Sequence, residues 1–286
     1  MPDTVIHYEF VDQTFQTTVK RNICLEGVGL HSGRFVRMTI CPAPANCGIK
    51  FLRTDVSNQN QTVVAHASYA KRARLCTRIM NGDGITLETI EHFMAAFAGL
   101  GLDNAIIEID APEAPILDGS SQPILEALIS AGLETLPAKR RYMTVINPIQ
   151  VQLECGAWAR LDPSEKLQID VKITFDDPAI GTQKYSYKHG NGSFAAELSN
   201  ARTFCQLSDV TLMQNAGLAL GGSLNNAIVV NQGKILNKGG LRDEDEFARH
   251  KVLDCLGDLF LIGMPVRAKM TASRPGHALS LKLVQK

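Results

Sequence analysis

No Cys-x-x-Cys pair occurs in this chain, and its seven cysteines, at 24, 41, 47, 76, 155, 205 and 255, are an odd number. That argues against a disulfide framework and for a reducing compartment. No run of about 18 apolar residues occurs either, so no segment reads as a spanning helix. The opening "MPDTVIHYEFVDQTFQTTVKRN" lacks the apolar centre of a secretory signal. A net excess of either charge is missing too. Lys plus Arg and Asp plus Glu both total 29, a balance that favours neither nucleic acid nor an anionic membrane surface. Low-complexity tracts are absent. What remains is ordinary globular composition, 45% hydrophobic and 20% charged over 286 residues. That length accommodates two domains of about 150 residues. A soluble cytoplasmic monomer is expected.

Strand signals open the chain. In "RFVRMTICPAPA", Val36, Met38 and Ile40 alternate with Arg37 and Thr39 until the prolines stop the run. "ITLETIEHFMAAFAGLGLDN", residues 85–104, predicts a helix with Thr86 as N-cap and Gly99 and Gly101 as its stop. "NAIIEID" reads as a strand. "SSQPILEALISAGL" reads as a helix with Pro123 in its first turn and Gly132 past its end. "ETLPAKRRYMT" is the linker candidate. In the second half, "KLQIDVKITF" points Leu167, Ile169, Val171, Ile173 and Phe175 to one face. The Gly-rich "GLALGGSLNN", an apolar strand "AIVV", a long helix and a strand-like tail follow. Setting "ETIEHFMAAFAGLGL" over "EFARHKVLDCLGDLF" matches Glu88 with Glu246, His92 with His250 and Gly99 with Gly257. Two α+β halves of similar size are expected.

The helix "FARHKVLDCLGDLF" carries an apolar stripe and, beside it, His250, Asp254 and Asp258 at spacings of four. A half-buried helix is expected. Its His250 and Asp254, one turn apart on one side, suit two ligands of a divalent ion such as Zn²⁺. An ordinary helix-surface pair is the bland alternative. A third ligand is needed, and His92 in "TIEHF" is the candidate, because His7, His66 and His189 lie in poor contexts. An acid next to a ligating histidine, here Glu91, can serve as general base without occupying the ion, although Glu-His in isolation reads more simply as a helix-surface Glu beside a satisfied core His. His277, in the Pro-Gly turn of "SRPGHALS", suits a general acid with Asp258 as its carboxylate partner, a turn histidine without a role being the bland alternative. "GLALGGSLNN" lacks the Gly-Lys-Ser/Thr ending and a following helix, so it is no phosphate loop. Thr203 in "NARTFCQL" says nothing alone.

Taken together, several stretches carry a resemblance: "GVGLHSG" (27–33), "CPAPANCG" (41–48), "TIEHFMAAFAGLGLDN" (89–104), "DAPEAPILDGSSQP" (110–123), "ARTF" (201–204), "GLALGGSLNNAIVV" (217–230), "LRDEDEFARHKVLDCLGDLFLIG" (241–263) and "GHAL" (276–279). In order along nearly the whole chain, they resemble the UDP-3-O-acyl-N-acetylglucosamine deacetylases, zinc amidases of lipid A biosynthesis in Gram-negative bacteria. The resemblance implies two similar α+β domains, 1–138 and 139–286, each a mixed β-sheet with helices, the helices sandwiched between two outer sheets.

The resemblance also implies a chemistry. The substrate is a small UDP-linked acyl-glucosamine, deacetylated to the free 2-amine plus acetate. One catalytic Zn²⁺ is held by His92, His250 and Asp254, and Fe²⁺ suits the same ligands. Glu91 activates water, Thr203, Lys251 and His277 face the developing oxyanion, and His277, held by Asp258, also protonates the leaving amine. Phe204 lies beside the sugar. An apolar insertion at about 205–224, with Val210, Leu212, Met213, Leu218 and Ala219, lines the passage for the acyl chain. Ala157 and Arg274 occupy positions where the family often has diphosphate-binding lysines. Arg274 can take that part and Ala157 cannot. No fused dehydratase domain is expected after "LSLKLVQK". The residues alone leave two other readings open, a different zinc amidase or peptidase and a non-catalytic nucleotide-sugar or lipid-binding module with a structural metal.

Overall fold

The computed structural model describes residues 14–57, 60–190 and 192–286, and His7 lies outside them. Alternating apolar residues build two sheets of matching design. The first has the lateral order Ile23–Val28, Phe35–Pro42, Ala105–Ile109, Ile49–Arg53, Thr62–Val64. The second has Ile149–Gln152, Trp158–Pro163, Val266–Ser273, Gln168–Thr174, Thr182–Lys188, with Met143–Thr144 beside Val266–Ser273. In both, successive neighbours run antiparallel, antiparallel, parallel, antiparallel. Both also place their last strand at the centre. The repeat suggested by the two helices is therefore a repeat of topology.

Among the described residues five α-helices accompany the sheets: α1 (Glu91–Leu100), α2 (Gln122–Ala131), α3 (Leu207–Asn215), α4 (Glu246–Phe260) and α5 (His277–Val284). Each of α1 and α4 precedes the central strand of its own sheet, and the two pack on one another. On its other side α4 meets Gln168–Thr174 and Thr182–Lys188. Phe93, Met94 and Phe97 of α1 join the core that holds Met38, Phe51 and Ile107 of the first sheet. The helices thus lie between two outer sheets in an α+β fold. Burying a Phe or Leu contributes about 1.5–3 kcal/mol each, so this continuous core dominates the stability.

Several expected elements differ. The helix predicted from residue 85 begins at Glu91, because Thr86–Glu88 pairs as a strand with Arg78–Met80 and Thr89 reverses the chain at φ 57°. Thr86 is therefore no N-cap. Leu87 is buried from that strand, which is why its spacing to Ile90 and Met94 mimics a helical stripe. The Gly101 stop holds, in the left-handed conformation with its N–H donating to Phe97 and Ala98. The first half of the linker candidate is a strand: Leu133–Lys139 runs antiparallel to Phe15–Val19, while 140–142 are irregular and Arg140 is bonded to Asp103. The tail is a strand as far as Ser273 and then the helix α5. Finally, α4 is not half-buried. Thirteen of its fifteen residues are buried, since α1, α5 and the second sheet surround it.

Candidate active site

The crossing of α1 and α4 depends on Gly257. A Cβ there would collide with the backbone carbonyl of Glu91 and crowd the N–H of Ala95. Glycine thus permits a close backbone approach. It brings His92, at the start of α1, to His250 and Asp254, 158 and 162 positions further along the chain. Their ligand atoms all lie within 4.8 Å of one another. His250 Nε2 is 3.3 Å and His92 Nε2 3.9 Å from Asp254 Oδ1. The two imidazole rings meet edge to face at 5.0 Å.

Three observations fit this set to a divalent cation. Asp254 Oδ1 is buried with no hydrogen-bond partner, a costly state unless something positive sits on it. His250 Nδ1 donates to the Ala201 carbonyl at 3.0 Å, which leaves Nε2 as the lone-pair nitrogen. Burial also pulls both imidazoles down, His92 to about 3 with help from His250, so both stay neutral and able to coordinate. Burial alone would raise Asp254, but His250, Lys251 and His277 outweigh it and keep its carboxylate ionised. Two neutral imidazoles and one carboxylate are the donor set of a catalytic site with an open position.

Around the cluster stand an acid and a base. Burial raises Glu91 to about 7, against the pull of His277. Its Oε2 accepts from the Thr77 N–H at 3.0 Å, and its Oε1 is 3.5 Å from His277 Nε2. Burial lowers the His277 imidazole, yet Asp258 and Glu91 more than reverse this and lift it to about 10. Its Nδ1 donates to Asp258 at 3.0 Å. His277 stands at the first position of α5 rather than displayed on a loop. Gly276 caps that helix, accepting from the N–H groups of Leu279 and Ser280.

Lys251 bonds the other oxygen of Asp254 at 2.7 Å and stands over the Phe204 ring at 5.4 Å. Phe204 stacks edge-on against Phe247 at 4.9 Å. The Thr203 backbone is pinned to Gly119 and Ile228, and its hydroxyl makes no hydrogen bond among the described residues. The insertion forms α3, none of whose residues is buried. Val210, Met213 and Leu218 are half-buried, Leu212 is 68% exposed, and Ala219 is buried. Arg274 is exposed and donates to the Cys155 carbonyl at 2.7 Å. Ala157 is buried beside it, before the Trp158–Ser273 strand pair.

Sequence reasoning missed three buried residues. Thr77 donates its hydroxyl to Asp258 and its N–H to Glu91, tying acid and base together. Glu113 accepts from the N–H groups of His31 and Ser32, at 2.8 Å each, and from the Thr89 hydroxyl. His31 in turn accepts from the Ala219 N–H at 3.4 Å, and its Nε2 is buried without a partner. "GVGLHSG" held the signal for His31. Nothing local marks Thr77. A cleft of about 740 Å³ lies elsewhere: it opens at Ala98–Gly101, Leu256 and Phe260 and includes none of the ligand set. The buried chemistry locates the site better than concavity does here.

A family model described as UDP-3-O-acyl N-acetylglycosamine deacetylase matches residues 16–286. Curated UDP-3-O-acyl-N-acetylglucosamine deacetylases from Shewanella halifaxensis (strain HAW-EB4) and Shewanella frigidimarina (strain NCIMB 400) are each 42% identical over 273 residues. That span covers 95% of this chain and 89% of each relative.

Proposed function

The chain belongs to the UDP-3-O-acyl-N-acetylglycosamine deacetylase family, and from that premise we propose how its residues perform the deacetylation. The substrate in this reading is a UDP-linked 3-O-acyl-N-acetylglucosamine. The products are the free 2-amine and acetate, in the committed step of lipid A biosynthesis. His92, His250 and Asp254 hold one divalent ion, for which Zn²⁺ is our assignment on donor type, Fe²⁺ being compatible with the same donors. When bound, the ion supplies Lewis acidity and acidifies water near neutral pH.

Glu91 accepts a proton from the attacking water, and its raised pKa suits it to do so near neutrality. The water oxygen adds to the acetamide carbonyl carbon, placing negative charge on the carbonyl oxygen. The free hydroxyl of Thr203 and the ammonium of Lys251 are the donors for that charge. The C–N bond then breaks as His277 Nε2 gives its proton to the nitrogen, while Asp258 holds the ring from Nδ1. Phe204 flanks the sugar. Val210, Leu212, Met213, Leu218 and Ala219 border the acyl chain, and Arg274 takes the diphosphate without help from Ala157. The same reading has the chain act as a cytoplasmic monomer divided near residues 138/139. Among the described residues, no helix is long and apolar enough to cross a membrane.

The observation that carries this reading is the buried acid–base pair, Glu91 and His277, set 3.5 Å apart beside a three-ligand cluster. A purely structural metal would call for a fourth protein ligand, and the described residues offer none. The test is acetate release from the UDP-sugar. Wild-type protein releases it, and Glu91→Ala retains about one ion per chain while losing most turnover. A Glu91→Ala protein of near wild-type rate would remove Glu91 from the base role.

A further inference from the structure

Glu246 begins α4 and is 0% exposed. Its carboxylate accepts four hydrogen bonds. Oε1 takes the backbone N–H of Arg202 at 3.0 Å and its Nε at 2.8 Å. Oε2 takes Arg202 Nη2 at 3.1 Å and the backbone N–H of Arg242 at 2.6 Å. A buried carboxylate is tolerated only when so completely paired. One turn further on, His250 fixes the Ala201 carbonyl. Arg242 holds the Asn200 carbonyl at 2.9 Å. The backbone of Ala201 and Arg202 is thus tied to the first two turns of the metal-bearing helix, that of Asn200 to Arg242 just before it, and the next residue is Thr203.

We infer that Glu246 is a positioning residue for the reaction. It sets where the Thr203 hydroxyl stands relative to the ion held by His250 and Asp254. This rests on the reading above that Thr203 donates to the developing oxyanion. The geometry explains why a fully buried carboxylate paired with a largely buried arginine occurs here rather than an apolar contact. An apolar pair could hold two elements together but could not fix one backbone N–H in register with a helix terminus. Glu246 and Arg202 fix that N–H, the guanidinium and the start of α4 with the same two oxygens. Donors to an oxyanion act only at the right distance, and a displacement of about 1 Å can cost roughly a hundredfold in rate. Glu246 touches no reacting atom, so its effect is confined to kcat.

The test is a double-mutant cycle on the metal-loaded full chain, with acetate release and metal content both measured. Thr203→Ala should lower kcat by about a hundredfold, the usual loss for one oxyanion donor. Glu246→Gln keeps the volume but turns an amide N–H₂ towards Arg202 and Arg242. We expect it to lower kcat by about tenfold, with KM within about twofold and metal content unchanged. In the Thr203→Ala background the same change should cost less than about twofold, because its target is already gone. Should Glu246→Gln not fold, Glu246→Asp, which keeps the charge and withdraws it by one methylene, takes its place with the same expected pattern. An undiminished tenfold loss in the Thr203→Ala background would overturn the inference, and so would loss of metal from the Glu246 variant. A Thr203→Ala protein with wild-type kcat would instead strike down the donor role of Thr203, and this inference with it.

Discussion

Asp254 is pulled in three directions at once: His250 and His92 approach Oδ1, and Lys251 bonds Oδ2. With no cation on Oδ1, that oxygen is buried and unpaired. Removing a ligand should therefore abolish binding rather than merely weaken it. His250→Ala is expected to purify with well under one ion per chain by elemental analysis, and a full complement would refute the ligand assignment. The pH dependence follows from two groups. Glu91 must be ionised to act as base, so kcat/KM should fall as pH drops through about 7. His277 must be protonated to act as acid, so it should fall again as pH rises through about 10. A bound dication lowers both limbs, because added positive charge favours the deprotonated forms. His277→Gln should lose the alkaline limb. Its persistence unchanged would assign that limb to another group. At this scale the sequence was most legible where residues sit one helical turn apart. His250 and Asp254 were visible as a pair, whereas Thr77 was not, because its contact with Asp258 spans 181 positions.

Among the elements, the α1–α4 crossing decides whether a site exists. Gly257→Ala places a methyl group against the Glu91 carbonyl and the Ala95 N–H, both backbone atoms that cannot rotate away. Overpacking of this kind costs about 1–3 kcal/mol. It should lower the midpoint of denaturant unfolding and weaken metal retention together, since both helices carry ligands. An unchanged midpoint would mean that the crossing can open at no cost. Gly257 also shows what pattern reading conceals. Its match to Gly99 in the aligned helices is a match of spacing only, because Gly99 makes room for the Phe194 ring and not for a helix backbone. The misplaced start of α1 has a related cause. Leu87, Ile90 and Met94 are all fully buried, but Leu87 is buried from a strand, and one-dimensional spacing cannot separate the two.

For the whole molecule, the ligand set joins two halves with the same sheet topology. A metal that binds only the folded chain stabilises it by about 2.7 kcal/mol at a hundredfold excess over Kd. Stripping the ion with a chelator should lower the thermal midpoint by roughly 5 °C or more, and adding Zn²⁺ should restore it. A midpoint indifferent to the chelator would argue that the halves are held by apolar packing alone.

Sequence by itself determined the α+β class, the inward faces of the strands, the body of α4 and the placing of His250 and Asp254 one helical turn apart. All of these follow from periods of 2 and 3.6 residues and from donor chemistry, which are local properties. Tertiary structure decided the rest. It brought His92 to His250, set Glu91 against His277, made a strand of the first half of the supposed linker and bound Glu246 to Arg202 next to Thr203. Each of these rests on a contact between residues far apart in the chain, where packing, not spacing, chooses the partner.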